Sequence, residues 1–170
     1  MGSRTIGADK MLGSIKNLIS NLVGDAGAQS RSKDNDSRLA TAALLIRVAT
    51  VHSEMSKVRK KKLHAILKSC FALDDLAIDQ LIEDSAEIDR AAIDLYHCTR
   101  QLTKVLDDHG RRHVIQMMWE IVCADGKVNA LEDNIIWRAA DLLGVSSRQR
   151  VELRQRVSAD RAFFARDNIA

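Results

Sequence analysis

The stretch Ala124-Asp125-Gly126-Lys127-Val128-Asn129-Ala130-Leu131-Glu132 decides the fold, because its frame occurs twice in the chain. The earlier copy is Val51-His52-Ser53-Glu54-Met55-Ser56-Lys57-Val58-Arg59, 73 residues upstream. Working outward, Ala42 to Val51 (AALLIRVATV) lies over Ile115 to Ala124 (IQMMWEIVCA), with apolar residues answering apolar residues at most positions. On the far side Leu63, Ile66 and Leu67 fall near Ile136, Ala139 and Ala140. The offset then slips by one, so that Phe71-Ala72-Leu73-Asp74-Asp75 matches Leu143-Gly144-Val145-Ser146-Ser147. Each half therefore reads as helix, short loop, helix, turn and new helix start. A period this long, seen only twice, indicates an internal duplication rather than a solenoid.

Composition points the same way. A chain of 170 residues without proline, with eight glycines and 3.6-residue apolar periodicity throughout, is expected to be all-α. It is long enough to bury a core without staples, as a single compact helical bundle of about seven helices. Three cysteines, Cys70, Cys98 and Cys123, form no metal-ligand spacing and suit a reducing compartment. Cys70 and Cys98 fall on apolar helix faces and are expected in the core. No run approaches the ~18 apolar residues of a membrane span. A cytoplasmic protein is the expectation. A net charge of +3 is too slight to require a polyanionic partner, and no nucleic acid is expected.

Three segments follow from the pass along the chain. Residues 1–37 hold an amphipathic helix and a flexible linker, 38–158 the helical domain, and 159–170 a tail expected to fray. In the first, Met11, Leu12, Ile15, Leu18, Ile19, Leu22 and Val23 recur at helical spacing, opposite Lys10, Lys16 and Asn17. Docking of 11–23 on the domain is the expected role, with peripheral membrane contact as the alternative. Gly24 to Ser37 is polar and rich in small residues, so it reads as linker. The domain then opens at Asp36 or Ser37, with further helices over Ser56 to Cys70, from Asp74 or Asp75, and over about Ala92 to Leu106. Asp107 to Gly110 is expected to turn the chain into the helix before Asp125. After that loop, the next helix ends at Gly144, which can take the left-handed position ahead of Val145. A final helix, capped by Ser146 or Ser147, is expected to end near Val157.

The second loop has local explanations for most of its residues. Asn129 and Glu132 form a capping box worth ~1 kcal/mol, and Gly126 supplies positive φ for a tight turn. Asp125 is less comfortable at the end of a helix, where the carbonyl dipole disfavours a carboxylate by roughly 0.3 to 1 kcal/mol. It calls for a cation, a local turn or a basic neighbour. With this A-D-G-x-V-x-x-x-E signature, the chain over residues 37–157 resembles the TerB-like family of bacterial tellurite-resistance and stress proteins. The resemblance implies a compact all-α bundle, a cytoplasmic and often membrane-associated stress-linked role, and divalent metal binding at paired acids.

On that reading Asp125 and Glu132, joined by Glu54 from the first loop, are the candidate ligands for Ca²⁺ or Mg²⁺, hard cations that take oxygen donors. The spacing is not that of an EF-hand. The first copy departs from the signature, with His52 in place of the Asp, Ser53 in place of the Gly and Arg59 in place of the Glu. If the two loops face each other, Arg59 or His52 would pair with Asp125 or Glu132 and stand in for the ion.

Other features read as structural. Lys57, Arg59, Lys60, Lys61 and Lys62 form the densest basic run and are read as a solvated face, with His52, Arg59, Lys60, Lys61 and Lys62 as candidate interaction residues. No aromatics interleave with these charges to stack bases. His109 and His113, four apart, could take Zn²⁺ with Asp107 or Asp108, but no Glu follows the first His as in H-E-x-x-H, so an incidental pair at a helix start is expected. Trp119 and Trp137 read as core or half-buried anchors, and Met117 and Met118 as core. No catalytic series stands at persuasive spacing. The expectation is a non-enzymatic interaction or stress-associated module with a protein partner, and the alternative is a divalent-cation sensor centred on Asp125 and Glu132.

Overall fold

The repeat in the sequence reappears in the positions of the helix ends. The computed structural model describes residues 30–51, 55–87 and 95–167. The expected amphipathic helix over 11–23, His52 and Glu54 lie outside the described residues. Seven helices and no strands occupy the described part: α1 (Ser30–Ala49), α2 (Lys57–Phe71), α3 (Asp75–Glu87), α4 (Leu95–Val105), α5 (Asp108–Val122), α6 (Ala130–Leu142) and α7 (Ser147–Asp167). The ends of α1 and α5, and the starts of α2 and α6, share the 73-residue offset that separates Arg59 from Glu132. The caps correspond as well, with Ser56 before α2 and Asn129 before α6. After the one-residue slip, Ala72 at φ 53° answers Gly144 at φ 76°, so both halves leave their second helix through a left-handed residue.

α1 and α5 form the centre of the bundle. Ala42, Ala43, Leu44, Leu45, Ile46, Val48 and Ala49 of α1 are all buried, as are Val114, Ile115, Met117, Met118, Trp119, Ile121 and Val122 of α5. A helix buried around its whole circumference belongs inside a core rather than at its surface. The two are repeat partners and pack on each other; α2 and α4 add to α1, and α6 and α7 to α5. Each fully buried Leu or Ile contributes on the order of 1.5–3 kcal/mol, so these two helices dominate the hydrophobic stabilisation. No helix among the described residues is long and apolar enough to cross a membrane.

Several boundaries differ from the sequence expectation. α1 begins at Ser30, inside the stretch read as linker. The start of α5 at Asp108 falls within the turn expected over 107–110, and the Asp107 side chain caps it by accepting the Gly110 N–H at 2.8 Å. α7 continues to Asp167, well past Val157. One tertiary contact beyond Val157 is not visible in the periodicity: Arg161 Nε donates to the Ala124 carbonyl at 3.3 Å, while Phe164, 66% exposed, lines a groove with Val58 and Val157. Cys70 is exposed, contrary to its expected place in the core, because Phe71 fills the core at the end of α2. Cys98 is buried as expected, and so is Cys123.

The end of α6 shows how the chain is redirected. Val145 N–H donates to Ala140 O at 2.8 Å and Gly144 N–H to Asp141 O at 3.1 Å, the two bonds of a Schellman motif, and Val145 is buried beneath it. A Cβ at Gly144 would meet only the Arg111 guanidinium, at 4.0 Å, so space is not what demands glycine there. The left-handed backbone is. Gly144→Ala is therefore expected to cost about 1–2 kcal/mol in urea unfolding with an unchanged m-value.

Candidate functional site

The two loops meet at the start of α2 and α6, and each start is built by a cap. Ser56 Oγ accepts the Arg59 N–H at 3.3 Å, while its hydroxyl donates to Asp125 Oδ2 at 2.9 Å. Asn129 Oδ1 accepts the N–H groups of Leu131 and Glu132 at 2.9 and 3.0 Å, and Glu132 Oε2 accepts the Asn129 N–H at 3.1 Å. Asn129 and Glu132 thus form the expected capping box. Arg59 holds the same third helical position in its own repeat as Glu132 does in the other. A carboxylate there can accept from its own cap. A guanidinium, having only donors, cannot, and it crosses to the other repeat instead.

The crossing fills the space between the loops. Arg59 Nη1 pairs with Glu132 Oε1, and Nη2 donates to Glu132 Oε2 at 3.1 Å, a two-pronged contact that suits a planar guanidinium. Nη2 also donates to the carbonyl of Val122 at 3.0 Å and to that of Lys127. Nε lies 3.0 Å from Asp125 Oδ2. Arg59 is 5% exposed and Glu132 0%. Asp125 Oδ1 accepts the Lys127 N–H at 3.0 Å, so the aspartate also makes the local turn that its sequence position called for.

Burial works against the charged form of Arg59, but hydrogen bonding and attraction from Glu132, then from Asp125, outweigh it and raise the guanidinium above its ordinary range. Burial likewise tends to raise Asp125, but the Lys127 N–H, the Ser56 hydroxyl and Arg59 together hold its carboxyl below the usual value. The ionised states therefore support one another.

These residues do not fit a resident divalent ion. Each of the four carboxylate oxygens of Asp125 and Glu132 already faces a donor of the protein, and the guanidinium lies where an ion bridging the two acids would sit. Among the described residues no group of three or more His, Cys, Asp or Glu side chains is placed to hold a metal. A metal ligand set of Asp125 and Glu132 would require Arg59 to leave.

The other candidates are dispersed. Lys60 pairs with Asp79 of α3 at 3.2 Å and Lys62 with Glu120 of α5 at 3.6 Å. Such exposed pairs are worth about 0–1 kcal/mol. Lys61 has no acidic partner among the described residues and lines a groove of about 500 Å³ with Val58, Phe164 and Arg161. His109 and His113 face α7 across a second groove, while Asp107 is occupied as the cap of α5. Trp119 is buried with the Arg154 guanidinium 5.0 Å from its ring centroid, and Trp137 is 47% exposed beneath Arg150. Both fit the anchoring roles expected of them.

Two contributors were not legible as site residues. Ser56 is recognisable only by its equivalence to Asn129. Arg161 comes from the stretch read as tail, yet its guanidinium lies over Gly126, within 2.6–2.9 Å of where a Cβ would stand. It adds a second cation to the outer side of the loop, and Gly126, at φ 76°, leaves room for it.

Arg59→Met leaves Glu132 buried without its partner and is expected to cost about 3–5 kcal/mol in chemical unfolding. Arg59→Met with Glu132→Gln removes both charges and is expected to recover much of that loss, which a double-mutant cycle measures. Asp125 has a folded pKa below its unfolded value, so its stabilising contribution is present above about pH 4 and fades as pH falls through the lower folded value. The stability difference between the wild type and Asp125→Asn is thus expected to stay level from neutral pH to near that point and to shrink below it.

The family model described as "Tellurite resistance protein TerB" matches residues 38–155. No curated protein and no solved structure gives a significant match. With that match spanning most of the chain, over the same helices that carry the duplicated loops, the chain belongs to the TerB tellurite resistance family.

Proposed function

We propose that this TerB-family chain is a non-enzymatic, stress-associated interaction module whose paired loops carry their own cation in the guanidinium of Arg59. The carrying observation is the saturation of Asp125 and Glu132 by donors from within the protein. A site so filled offers no open coordination position, and neither carboxylate is free to act as a general base. What it does supply is rigidity, because five acceptor atoms of the second repeat converge on one side chain of the first. That rigidity supports the neighbouring groove of Val58, Lys61, Phe164 and Arg161, the surface offered here to a protein partner. The free thiols of Cys70, Cys98 and Cys123 favour a reducing, cytoplasmic setting for this role.

Calorimetric titration with Ca²⁺, Mg²⁺ and Zn²⁺ separates this reading from a divalent-cation sensor. The wild type is expected to show no saturable binding tighter than about 1 mM, the weak limit of protein calcium modules. Arg59→Glu, which restores an acid and removes the internal cation, is expected to gain thermal stability with added Ca²⁺ while the wild type gains none. Sub-millimolar binding by the wild type that Asp125→Ala abolishes would overturn the built-in cation.

A further inference from the structure

The groove between α5 and α7 has the opposite chemistry from the one a zinc pair would need. Its α5 wall carries His109, Arg112 and His113, and its α7 wall carries Gln149 and Arg156, over a floor made by the buried Leu153. The spacing of these residues puts each set on one helix face. Among the described residues neither Arg112 nor Arg156 has an acidic partner. Glu152 is the one carboxylate lining the groove, and it is held in an ion pair with Arg148 at 2.9 Å. Arg112 Nε donates to the Asp108 carbonyl at 3.2 Å, which leaves its two Nη groups and the whole Arg156 guanidinium to face the groove against a single carboxylate.

The direction of the helices reinforces that sign. The first turn of α5 shares a small cleft with Gly144, Val145 and Gln149 just before and within the start of α7, while the far end of α5 meets Arg161. The two helices therefore run parallel, with both positive dipole ends at this corner. The field is set by the arginines; the dipole end of α5 is offset by its cap Asp107 and by Asp108 of its first turn, so only the α7 end adds to it.

The geometry points to an anion site in this groove, for a phosphate-type group such as a phosphate monoester. The cavity, about 170 Å³, is large enough for one tetrahedral oxyanion but not for a bulky apolar ligand. Arg112 and Arg156 approach from opposite walls, and each can present two N–H groups to the oxygens of one phosphate. The imidazoles of His109 and His113 and the Gln149 amide supply further N–H donors at the rim. The site is separate from the Arg59 cluster, so it stands or falls independently of the built-in cation.

The test is an NMR titration of the full chain with inorganic phosphate, replacing chloride at constant ionic strength. Saturable shifts confined to residues 109–116 and 149–156 are expected. Arg112→Gln with Arg156→Gln, both away from the core, is expected to weaken phosphate binding by about tenfold or more without changing the melting temperature. Sedimentation with phosphatidylcholine vesicles, with and without phosphatidic acid, then identifies the source. Phosphatidic-acid-dependent pelleting lost in the double variant assigns a lipid headgroup, and phosphate binding without pelleting assigns a soluble phosphate ester. Absence of saturable shifts in the wild type, shifts spread over the whole basic surface, or binding unchanged in the double variant would each overturn the site.

Discussion

One guanidinium ties the two halves of this molecule together. Arg59 starts on a helix of the first repeat and ends its side chain among five acceptor atoms, all of them in the second. Because Arg59 and Glu132 are equivalent positions in the duplicated frame, the pseudo-symmetry of the bundle brings them to the same place. Two carboxylates there would repel and would need a cation between them. One carboxylate and one guanidinium need none. Burying the pair is tolerable because Asp125, Ser56 and the carbonyls of Val122 and Lys127 complete the hydrogen bonding, and removing Arg59 or Glu132 alone breaks the buried pair.

The same contact draws three helix ends together. The end of α5, the cap of α6 and the cap of α2 all lie within reach of one planar group, so their relative positions are constrained by hydrogen-bond geometry as well as by core packing. Arg161 closes the outside of the loop, which gives the far end of α7 a reason to remain helical.

Charge at the surface follows a different pattern. The lysines of α2 are partly matched by Asp79 of α3 and Glu120 of α5, and His64 and Lys68 both reach Asp75. On the parallel pair α5 and α7, Arg148 is matched by Glu152 and Arg154 by Asp133, while Arg112 and Arg156 have no acidic partner among the described residues.

Much of this was determined by the sequence alone. The duplication, the all-helical class, the capping box at Asn129 and Glu132, the left-handed exit at Gly144 and the exchange of an acid for Arg59 are all local patterns or comparisons of the chain with itself, so residue type and spacing suffice to reveal them. The tertiary structure decided the rest. That Arg59, rather than a general basic face, meets both Asp125 and Glu132 depends on where two loops 73 residues apart come to lie. The exposure of Cys70, the early start of α1 and the length of α7 were likewise not visible, because a helix end is settled by what packs against it as much as by its own propensities. Arg161 illustrates the reason: nothing near it in the chain marks it, and its role comes from a carbonyl and a glycine that only folding places beneath it.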